Sequence, residues 1–589
     1  MNTAEYIVKR LEELGVNEFF GLPEDYNLDL IYAVENNSNT NWIGCMDALS
    51  AGYAADGYAR VRGYGALITS YGSGELSAIN AVAGCMAENV PIFHIVGLPS
   101  TEKIDGKALI HHNFQNVNYD NFMNAYKSVT GAAAFLTRDN AKLEIDRLLK
   151  TMINEKQPVY AAIPEDIALM EISDRVVSYD TMSDKAVLEE VSQRIAEKIK
   201  NAQKPVIIGD ILVKRFDALL EYKEFVEKSG IPVSNFLMGT NLVNMDLPNY
   251  IGGYFGKSGN LLAQKYIEET DCLIAVGPIY SDINSFGHSL PYDINNHIAI
   301  YGSCVYIEGQ RYDNIKMPEV LEKVTELIES RDFEFNKPNI GLKSLETEGE
   351  ILTSQYLYSR LQDFVKENDI IFAETGSSLF GSVQMKLPES VDYQTQALWS
   401  STGWATSASL GACLAKPQSR VILITGDGAH QRTAMEVGNM LKYGVKPVII
   451  VINNNGYTTG RLFSRNLNEK FNDVMQVNYA KFARIFDGDV WATKVTSAED
   501  FDKALRVTQI MNKLCYIEAC VETLDMPSLA KELVKILKSN IHDVKVPKTS
   551  VNNVYGSIND VKLTQADENC EYETVVHKAF DEEVTQEEE

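Results

Sequence analysis

This sequence has little cysteine, no long apolar run and a deficit of positive charge, and each shortage excludes a class of protein. The eight cysteines are scattered over 589 residues, without a Cys-x-x-Cys pair or a cluster with histidine, which argues against a disulfide scaffold and a zinc site. No apolar stretch approaches the roughly 20 residues that span a bilayer. The residues after Met1 lack the basic region and apolar core of a signal peptide. We therefore expect a cytoplasmic protein with reduced thiols.

The charge balance excludes a further group of partners. Acidic residues outnumber basic residues by 81 to 54, and the formal net charge is -27. Such a field repels phosphate backbones and anionic lipid, so we expect neither nucleic acid nor a membrane as a partner. A small anionic substrate stays open, because a local pocket can differ in charge from the whole molecule.

Helix and strand patterns alternate through three regions of the chain. This alternation predicts an α/β fold with three doubly wound domains, each built on a parallel sheet. Polar stretches without periodicity separate the regions, and we predict domains at residues 1–175, 186–335 and 350–540. Residues 541–589 are acidic and contain few large apolar residues. We interpret them as a disordered or loosely docked tail, and a partner-binding tail is the alternative.

The most specific motif lies in the third region. An apolar strand runs into the Gly-Asp-Gly turn at 426–428, and a second apolar strand runs into Asn-Asn-Asn-Gly-Tyr at 453–457. Strand-to-turn junctions of this kind are where α/β sheets bind ligands. The carboxylate of Asp427 and the side-chain carbonyl of Asn454 are oxygen ligands that suit Mg²⁺ carrying a diphosphate. A Gly-Asp-Gly turn alone is weak, whereas its spacing to the Asn pair is far more specific.

That motif resembles the cofactor anchor of thiamine diphosphate (ThDP) enzymes, and further segments narrow the resemblance. Over nearly its whole length, excluding the tail, the chain resembles the pyruvate decarboxylase and indolepyruvate decarboxylase family. The matches follow one another in the family's order. They lie at residues 20–28, 51–60, 71–78, 94–99, 111–112 and 373–376.

The resemblance implies a pyrimidine-binding, a middle and a diphosphate-binding domain, in a homodimer or homotetramer. ThDP would lie between the first domain of one subunit and the third domain of another. The resemblance implies Mg²⁺ held by Asp427, Asn454 and the backbone carbonyl of Gly456. The residues that it assigns to ThDP binding are Glu75, Thr375, Ser400, Thr402, Gly426, Asp427, Gly428, Ala429, Asn454, Gly456 and Tyr457.

The implied catalytic residues are Asp25, His111 and His112. Family members use these groups to handle protons on the substrate carboxylate and on the carbanion-enamine intermediate. The side chains of adjacent histidines point in different directions. The alternative to a catalytic role is therefore a surface pair, of which at least one ring does not reach the site.

Two positions depart from the family pattern. The glutamate that activates the ThDP pyrimidine ring corresponds to Ala48, and the neighbouring Asp47 could replace it only with a shift of the backbone. A second glutamate, three residues after Tyr457, corresponds to Gly460. A milder change is Thr402, where the family has a bulky apolar residue beneath the cofactor.

Three functions follow from this pattern. The first is a ThDP-dependent lyase that decarboxylates a 2-oxo acid without oxidation. The second is a carboligase that forms an acyloin from the same intermediate. The absence of acids at Ala48 and Gly460 favours this function. The third is a non-catalytic ThDP-binding paralogue. We favour the lyase, because the metal ligands, Asp25 and the histidine pair are intact.

Overall fold

The computed structural model describes residues 1–175, 179, 182–256, 258–290, 293–346 and 351–540. Residues 1–539 form one compact unit that contains three six-stranded sheets. The predicted α/β fold with three sheets is confirmed. The predicted tail at 541–589 lies outside the described residues, as do parts of both predicted linkers.

The N-terminal sheet is parallel throughout, in the order β2-β1-β3-β4-β6-β5. Its strands are β1 (Glu18–Gly21), β2 (Asn41–Gly44), β3 (Gly65–Ser70), β4 (Ile92–Leu98), β5 (Ala132–Phe135) and β6 (Val159–Pro164). Its helices are α1 (Thr3–Glu13), α2 (Leu28–Asn36), α3 (Ala48–Arg62), α4 (Ser73–Ala87), α5 (Thr101–Asp105), α6 (Asp120–Tyr126), α7 (Ala141–Glu155) and α8 (Glu165–Ala168). The buried apolar strands match a sheet covered on both faces.

The middle sheet has the order β12-β11-β10-β9-β7-β8. Its strands are β7 (Pro205–Gly209), β8 (Val233–Asn235), β9 (Cys272–Val276), β10 (His297–Ile300), β11 (Cys304–Ile307) and β12 (Gln310–Asp313). Its helices are α9 (Lys185–Asn201), α10 (Leu212–Arg215), α11 (Leu219–Ser229), α12 (Leu261–Glu268) and α13 (Met317–Leu327).

The middle sheet is mixed, whereas the sequence predicts a parallel one. Strands β11 and β12 pair antiparallel. The turn between them contains Glu308 and Gly309, both with positive φ (53° and 80°), as in a tight two-residue hairpin. Too few residues separate β10, β11 and β12 for crossover helices, so these strands can pair only as hairpins.

The C-terminal sheet is parallel throughout, in the order β14-β13-β15-β16-β18-β17. Its strands are β13 (Ile370–Ala373), β14 (Asp392–Thr395), β15 (Val421–Gly426), β16 (Val448–Asn453), β17 (Val490–Val495) and β18 (Leu514–Cys520). Its helices are α14 (Ser354–Phe364), α15 (Ser377–Ser382), α16 (Trp404–Ala415), α17 (Asp427–His430), α18 (Glu436–Lys442), α19 (Thr458–Phe463), α20 (Tyr479–Phe482), α21 (Ala498–Thr508) and α22 (Ser528–Asn540).

The N-terminal and C-terminal domains share one apolar core through helices α3 and α16. Their backbones approach closely, because a Cβ at Gly57 would overlap the Ala408 carbonyl and a Cβ at Gly411 would overlap the Ala54 carbonyl. This contact fixes the two domains against each other within one chain. Among the described residues, no helix is long and apolar enough to cross a membrane.

Candidate functional site

The predicted metal ligands lie at the carboxyl edge of the C-terminal sheet. Strand β15 ends at Gly426, and Asp427 begins α17; the neighbouring parallel strand β16 ends at Asn453. Gly426 is in register with Ile452, which brings Asp427 and Asn454 side by side. Because parallel strands end at the same edge of a sheet, the fold places both predicted ligands close together.

Three oxygens converge there. The side-chain oxygen of Asn454 lies 2.9 Å from the Gly456 carbonyl oxygen and 3.3 Å from Oδ1 of Asp427. Oxygens that bind Mg²⁺ at 2.0–2.1 Å in an octahedron are separated by about 2.9 Å. The spacing of these atoms thus fits a small divalent cation. The described residues contain no group of three or more His, Cys, Asp or Glu side chains arranged to hold a metal ion, so no other site of that kind competes with these three oxygens.

Thr458 fixes which end of the Asn454 amide faces the other oxygens. The Thr458 hydroxyl donates its single proton to the Thr523 carbonyl at 2.9 Å, so it accepts from Nδ2 of Asn454 at 2.7 Å. The amide oxygen must then face Asp427 and Gly456, where neither neighbour offers a proton. Rotating the amide would satisfy those two acceptors, but the single proton of the Thr458 hydroxyl would then face two acceptors, the Asn454 oxygen and the Thr523 carbonyl. A cation satisfies all four groups at once.

Burial makes the carboxylate of Asp427 a strong ligand. Asp427 is 1% exposed, and burial raises its pKa to about 6. The backbone N–H groups of Gly428 and Gly456 donate to it at 2.7 and 3.0 Å, which favours the charged form and opposes the effect of burial. A bound cation would favour the carboxylate further.

Other residues assigned to ThDP binding surround the same edge. Tyr457 lies over Gly428, and its hydroxyl donates to the Gly428 carbonyl at 3.2 Å. Thr375 follows β13, and Ala429 lies in α17. Thr402 directly precedes Gly403, whose carbonyl accepts from the Thr433 hydroxyl. Gly426, Gly428, Ala429, Thr375, Thr402 and Tyr457 are thus grouped at one end of the sheet.

Ser400 is held differently from the other residues of this set. The preceding residues, Leu398 and Trp399, donate their backbone N–H groups to Glu88 of the N-terminal domain at 3.0 and 3.2 Å. Ser400 itself has a left-handed backbone with φ of 53°, and its hydroxyl donates to the carbonyls of Gln396 and Ala397. The segment that contains Ser400 is therefore bound to the N-terminal domain of its own chain.

The predicted catalytic residues meet at the carboxyl edge of the N-terminal sheet. Asp25 follows β1, and Nε2 of His111 lies 3.0 Å from its Oδ2. Both side chains are about half exposed, at 54% for Asp25 and 53% for His111. His112 is adjacent, with its ring centroid 4.7 Å from that of His111 at an interplanar angle of 83°. The structure therefore brings all three residues together, with Asp25 and His111 exposed and His112 24% exposed.

Glu75 is placed inside the N-terminal domain. It is fully buried, and burial raises its pKa to about 7. Its oxygens accept from the Gly72 backbone and from the Tyr160 hydroxyl, both at 2.7 Å. As placed, the carboxyl group caps α4, and its role in ThDP binding stays a prediction.

The structure also fixes the surroundings of positions 48 and 460, where the sequence predicts a departure from the family pattern. Ala48 is the first residue of α3, and Asp47 caps that helix by accepting from the Ser50 N–H at 2.7 Å. A Cβ at Gly460 would lie 2.6 Å from the side-chain oxygen of Asn472. Asp47 is thus engaged as a helix cap, and an acid at position 460 would require Asn472 to move.

Two residues of these clusters were not predicted from the sequence. Thr458 orients Asn454, and its position four residues later at the start of a helix is the signal that could have found it. Glu24 lies 3.5 Å from His112, and a carboxylate adjacent to Asp25 was the available sign. Among the described residues, no hydrogen bond, ion pair or ring contact joins the Asp25–His111–His112 cluster to the Asp427 cluster.

Comparisons with known proteins identify the family of these domains. Residues 1–122 match the N-terminal TPP (thiamine pyrophosphate, that is ThDP) binding domain of thiamine pyrophosphate enzymes, residues 192–306 their central domain, and residues 375–519 their C-terminal TPP binding domain. These three matches confirm the predicted cofactor, ThDP.

Full-length relatives give the same result. The chain is 30% identical to pyruvate decarboxylase isozyme 2 of Saccharomyces cerevisiae over 543 residues, which cover 89% of this chain and 96% of that protein. It is 30% identical to an alpha-keto-acid decarboxylase of Mycolicibacterium paratuberculosis over 540 residues, which cover 90% and 96%. Its fold is also similar to that of a ThDP-dependent 4-hydroxybenzoylformate decarboxylase of Rhodococcus jostii, with a TM-score of 0.73 at 19% identity over 89% of this chain and 99% of that one. This chain therefore belongs to the ThDP-dependent 2-oxo acid decarboxylase family.

Proposed function

We propose that this protein is a ThDP- and Mg²⁺-dependent lyase that decarboxylates a 2-oxo acid without oxidation. The proposal rests on the group of three oxygens from Asp427, Asn454 and Gly456. Their spacing fits a cation, and none of the three carries a proton that it could donate to the others. The relatives named above act on pyruvate, alpha-keto acids or 4-hydroxybenzoylformate by their names, and the 2-oxo acid group is what these substrates share.

Each cluster has a separate task in this proposal. Asp427, Asn454 and the Gly456 carbonyl would hold Mg²⁺, and the turn at Gly428 and Ala429 would lie along the diphosphate. When bound, ThDP supplies the electron sink that accepts the electron pair left at C2 of the substrate. The protein's own groups bind the substrate, exclude water and handle protons.

The overall reaction needs one proton. The C1–C2 bond of the 2-oxo acid breaks, CO₂ leaves, and a C–H bond forms at the former C2 to give an aldehyde. Asp25, His111 and His112 are the groups that would deliver this proton, since imidazoles exchange protons near neutral pH and a carboxylate partner orients the ring. Their exposure leaves room for a substrate.

A second copy of the chain would complete the site, in a homodimer or homotetramer. The proton-handling cluster (Asp25, His111 and His112) and the metal cluster (Asp427, Asn454 and Gly456) lie at the edges of two different sheets. No described contact joins the two clusters within one chain. Pairing one chain's N-terminal domain with another chain's C-terminal domain would bring both clusters to the same cofactor.

The seven described cysteines are all free thiols, which supports a cytoplasmic location.

Carboligation is the second candidate, and Gly460 favours it. With no acid at this position, and with Asn472 filling the space beside it, the intermediate loses one proton donor. Slower protonation leaves more time for C–C bond formation with an aldehyde, which gives an acyloin.

A proton NMR time course of the purified protein tests these functions. The protein is incubated with ThDP, Mg²⁺ and a panel of 2-oxo acids, with and without an added aldehyde, and parallel samples omit ThDP. We expect an aldehyde to form only with ThDP present. Acyloin alone would establish the carboligase, and turnover without ThDP, or none on any acid of the panel, would contradict the proposal.

A further inference from the structure

A second carboxylate–imidazole pair lies beside Asp25 and His111. Oε2 of Glu24 is 3.5 Å from Nδ1 of His112, and the Glu24 side chain is only 21% exposed, against 54% for Asp25. The Ser70 hydroxyl donates to the same carboxylate oxygen. Glu24 is therefore more buried than Asp25 and is held in place by the end of β3.

The two pairs use opposite ring nitrogens. Asp25 faces Nε2 of His111, whereas Glu24 faces Nδ1 of His112. A carboxylate only accepts, so Nε2 of neutral His111, 3.0 Å from Asp25, carries the proton. Nδ1 of His112 has the Ser73 hydroxyl, which can donate or accept, at 3.1 Å, and the Glu24 carboxylate at 3.5 Å favours a proton on Nδ1. The remaining nitrogens, Nδ1 of His111 and Nε2 of His112, make no hydrogen bond to a described residue. The pairs thus leave one basic nitrogen of each ring without a hydrogen-bond partner among the described residues.

The orientation of His112 is set by its backbone. His112 has a left-handed φ of 69°, which is uncommon for a residue with a side chain. A Cβ at Gly72 would overlap the His112 carbonyl oxygen, so Gly72 permits this close approach. The Ser73 hydroxyl lies 3.1 Å from Nδ1, and the Tyr71 hydroxyl donates to the His111 carbonyl. These contacts hold Nδ1 within reach of both Ser73 and Glu24.

We propose that Glu24 is a positioning residue that holds His112 as the Nδ1–H tautomer, so that Glu24–His112 and Asp25–His111 form two proton-handling pairs in one site. This inference rests on the proposed function and deepens it. One imidazolium supplies the proton that forms the C–H bond of the aldehyde, and the other pairs with the substrate carboxylate until CO₂ leaves. Position 460 carries no acid, and these two pairs would supply protons in its place.

The surroundings of the pair are mostly neutral. The ring of His112 contacts those of His111 and Tyr71, and Tyr71 in turn contacts Tyr26 and Tyr119. The ammonium of Lys103 lies over the outer Tyr26 ring, 5.7 Å from its centroid. The titratable groups that a pH profile must consider are Glu24, Asp25, Tyr26, Tyr71, Lys103, His111 and Tyr119.

The tautomer is tested without any substrate. The ThDP- and Mg²⁺-loaded protein is prepared with ¹⁵N-labelled histidine, and the signals of His111 and His112 are assigned by their loss in the single variants His111→Asn and His112→Asn. Above neutral pH we expect Nδ1–H for His112 and Nε2–H for His111. An Nε2–H tautomer at His112 would overturn the proposal, even if the enzyme decarboxylates 2-oxo acids.

The contribution to turnover is tested by Glu24→Gln, which keeps the side-chain shape and removes the charge. We expect kcat/KM to fall about 10- to 100-fold, as for partners that orient a functional group. We also expect the pH profile of kcat/KM to change, because the amide no longer places a negative charge beside the imidazole. Glu24→Asp should recover the wild-type profile at least in part, and Glu102→Gln, an exposed change in α5, is the matched control.

The two tests separate the two proposals. A wild-type rate and pH profile in Glu24→Gln would overturn the role of Glu24 while leaving the decarboxylase intact. An Nδ1–H tautomer at His112, with no turnover of any 2-oxo acid, would instead contradict the proposed function and leave the Glu24–His112 pair standing.

Discussion

The N-terminal and C-terminal domains have the same sheet order and carry different chemistry. Both sheets are parallel and place their strands in the order second, first, third, fourth, sixth, fifth. After the third strand, one domain has the turn at 71–73 with two histidines packed on it, and the other has Gly-Asp-Gly at 426–428. The sheet thus decides where a site forms, and the residues at the strand ends decide what it does.

Two buried carboxyls near these equivalent turns show the difference most clearly. Glu75 faces donors, namely the Gly72 N–H and the Tyr160 hydroxyl, and is satisfied within its own domain. Asp427 faces, besides its donors, the side-chain oxygen of Asn454, which in turn lies 2.9 Å from the Gly456 carbonyl oxygen. A buried carboxylate among donors is a structural cap, whereas one among oxygens calls for a cation.

The clusters also differ in burial. Asp427 is 1% exposed, and its partners come from strand ends and short turns. Asp25 is about half exposed, and its partner His111 comes from the long connection between α5 and α6. The predicted metal ligands are therefore brought together within one chain, whereas the predicted catalytic residues Asp25 and His111 remain exposed.

Asp427→Asn should have the largest effect. We expect Mg²⁺-dependent ThDP binding to weaken by more than about 100-fold, since even residues that only orient a ligand cost 10- to 100-fold. Decarboxylation should fall with it. Isothermal titration with ThDP and Mg²⁺ measures the binding, and Asp487→Asn, an exposed change in the same domain, is the control. Unchanged cofactor binding in Asp427→Asn would remove the contrast between the two clusters.

Asp25→Asn should lower kcat/KM by about 10²- to 10⁴-fold, the usual contribution of a general acid–base group. ThDP binding should stay unchanged, because Asp25 belongs to the proton-handling cluster alone. Steady-state rates, together with the same titration, separate the two effects, and Asp29→Asn serves as the charge-matched control. If ThDP affinity fell as strongly as the rate, Asp25 would belong to cofactor binding instead.

Glu75→Gln should change the pH dependence of stability. Burial raises the pKa of Glu75 from 4.5 to about 7, so its favourable contribution is full below about pH 4.5 and is lost as the pH rises through 7. The variant should therefore gain about 1–3 kcal/mol relative to wild type between about pH 5 and about pH 8. Thermal unfolding at both pH values measures this gain.

The control for that experiment is Glu102→Gln, which should track the wild type at both pH values. A stability difference between Glu75→Gln and wild type that does not vary with pH would show that Glu75 is charged in the folded protein. Mg²⁺ and ThDP should still stabilise Glu75→Gln, in contrast to Asp427→Asn.

Gly460→Glu should have the smallest effect on the reaction. The new side chain meets Asn472, so we expect a loss of stability of about 1–3 kcal/mol, which Asn472→Ala in the same chain should relieve. In the double variant, the ratio of aldehyde to acyloin should rise, because an added acid protonates the intermediate sooner. An unchanged product ratio, measured by proton NMR against Asn472→Ala alone, would count against carboligation.

Much of the fold followed from local patterns. The alternation of helices and strands predicted three α/β domains, because hydrophobic period and turn residues are local properties of the chain. The hairpin of β11 and β12 was not predicted. Both strands of the hairpin are four residues long. Strand β12 is also largely exposed, so its sequence contains no apolar run that would predict a strand.

The site divides in the same way. The metal motif was predicted because its ligands directly follow two apolar strands. The role of Thr458 was missed, because it depends on a hydrogen bond to Thr523, which comes from a distant part of the chain. Glu24 was missed because its partner, His112, is contributed by a separate loop. Buried placements such as that of Glu75 also depend on packing rather than on sequence pattern.

The sequence by itself determined the fold class, the ThDP family and the metal-ligand motif, since each rests on residues that are neighbours along the chain. Only the tertiary structure decided which donors and acceptors meet. It turned the Asn454 oxygen toward Asp427, engaged Asp47 as a helix cap and paired Glu24 with His112. The physical reason is that hydrogen bonding and desolvation act through distances of a few ångströms, which only the folded backbone sets.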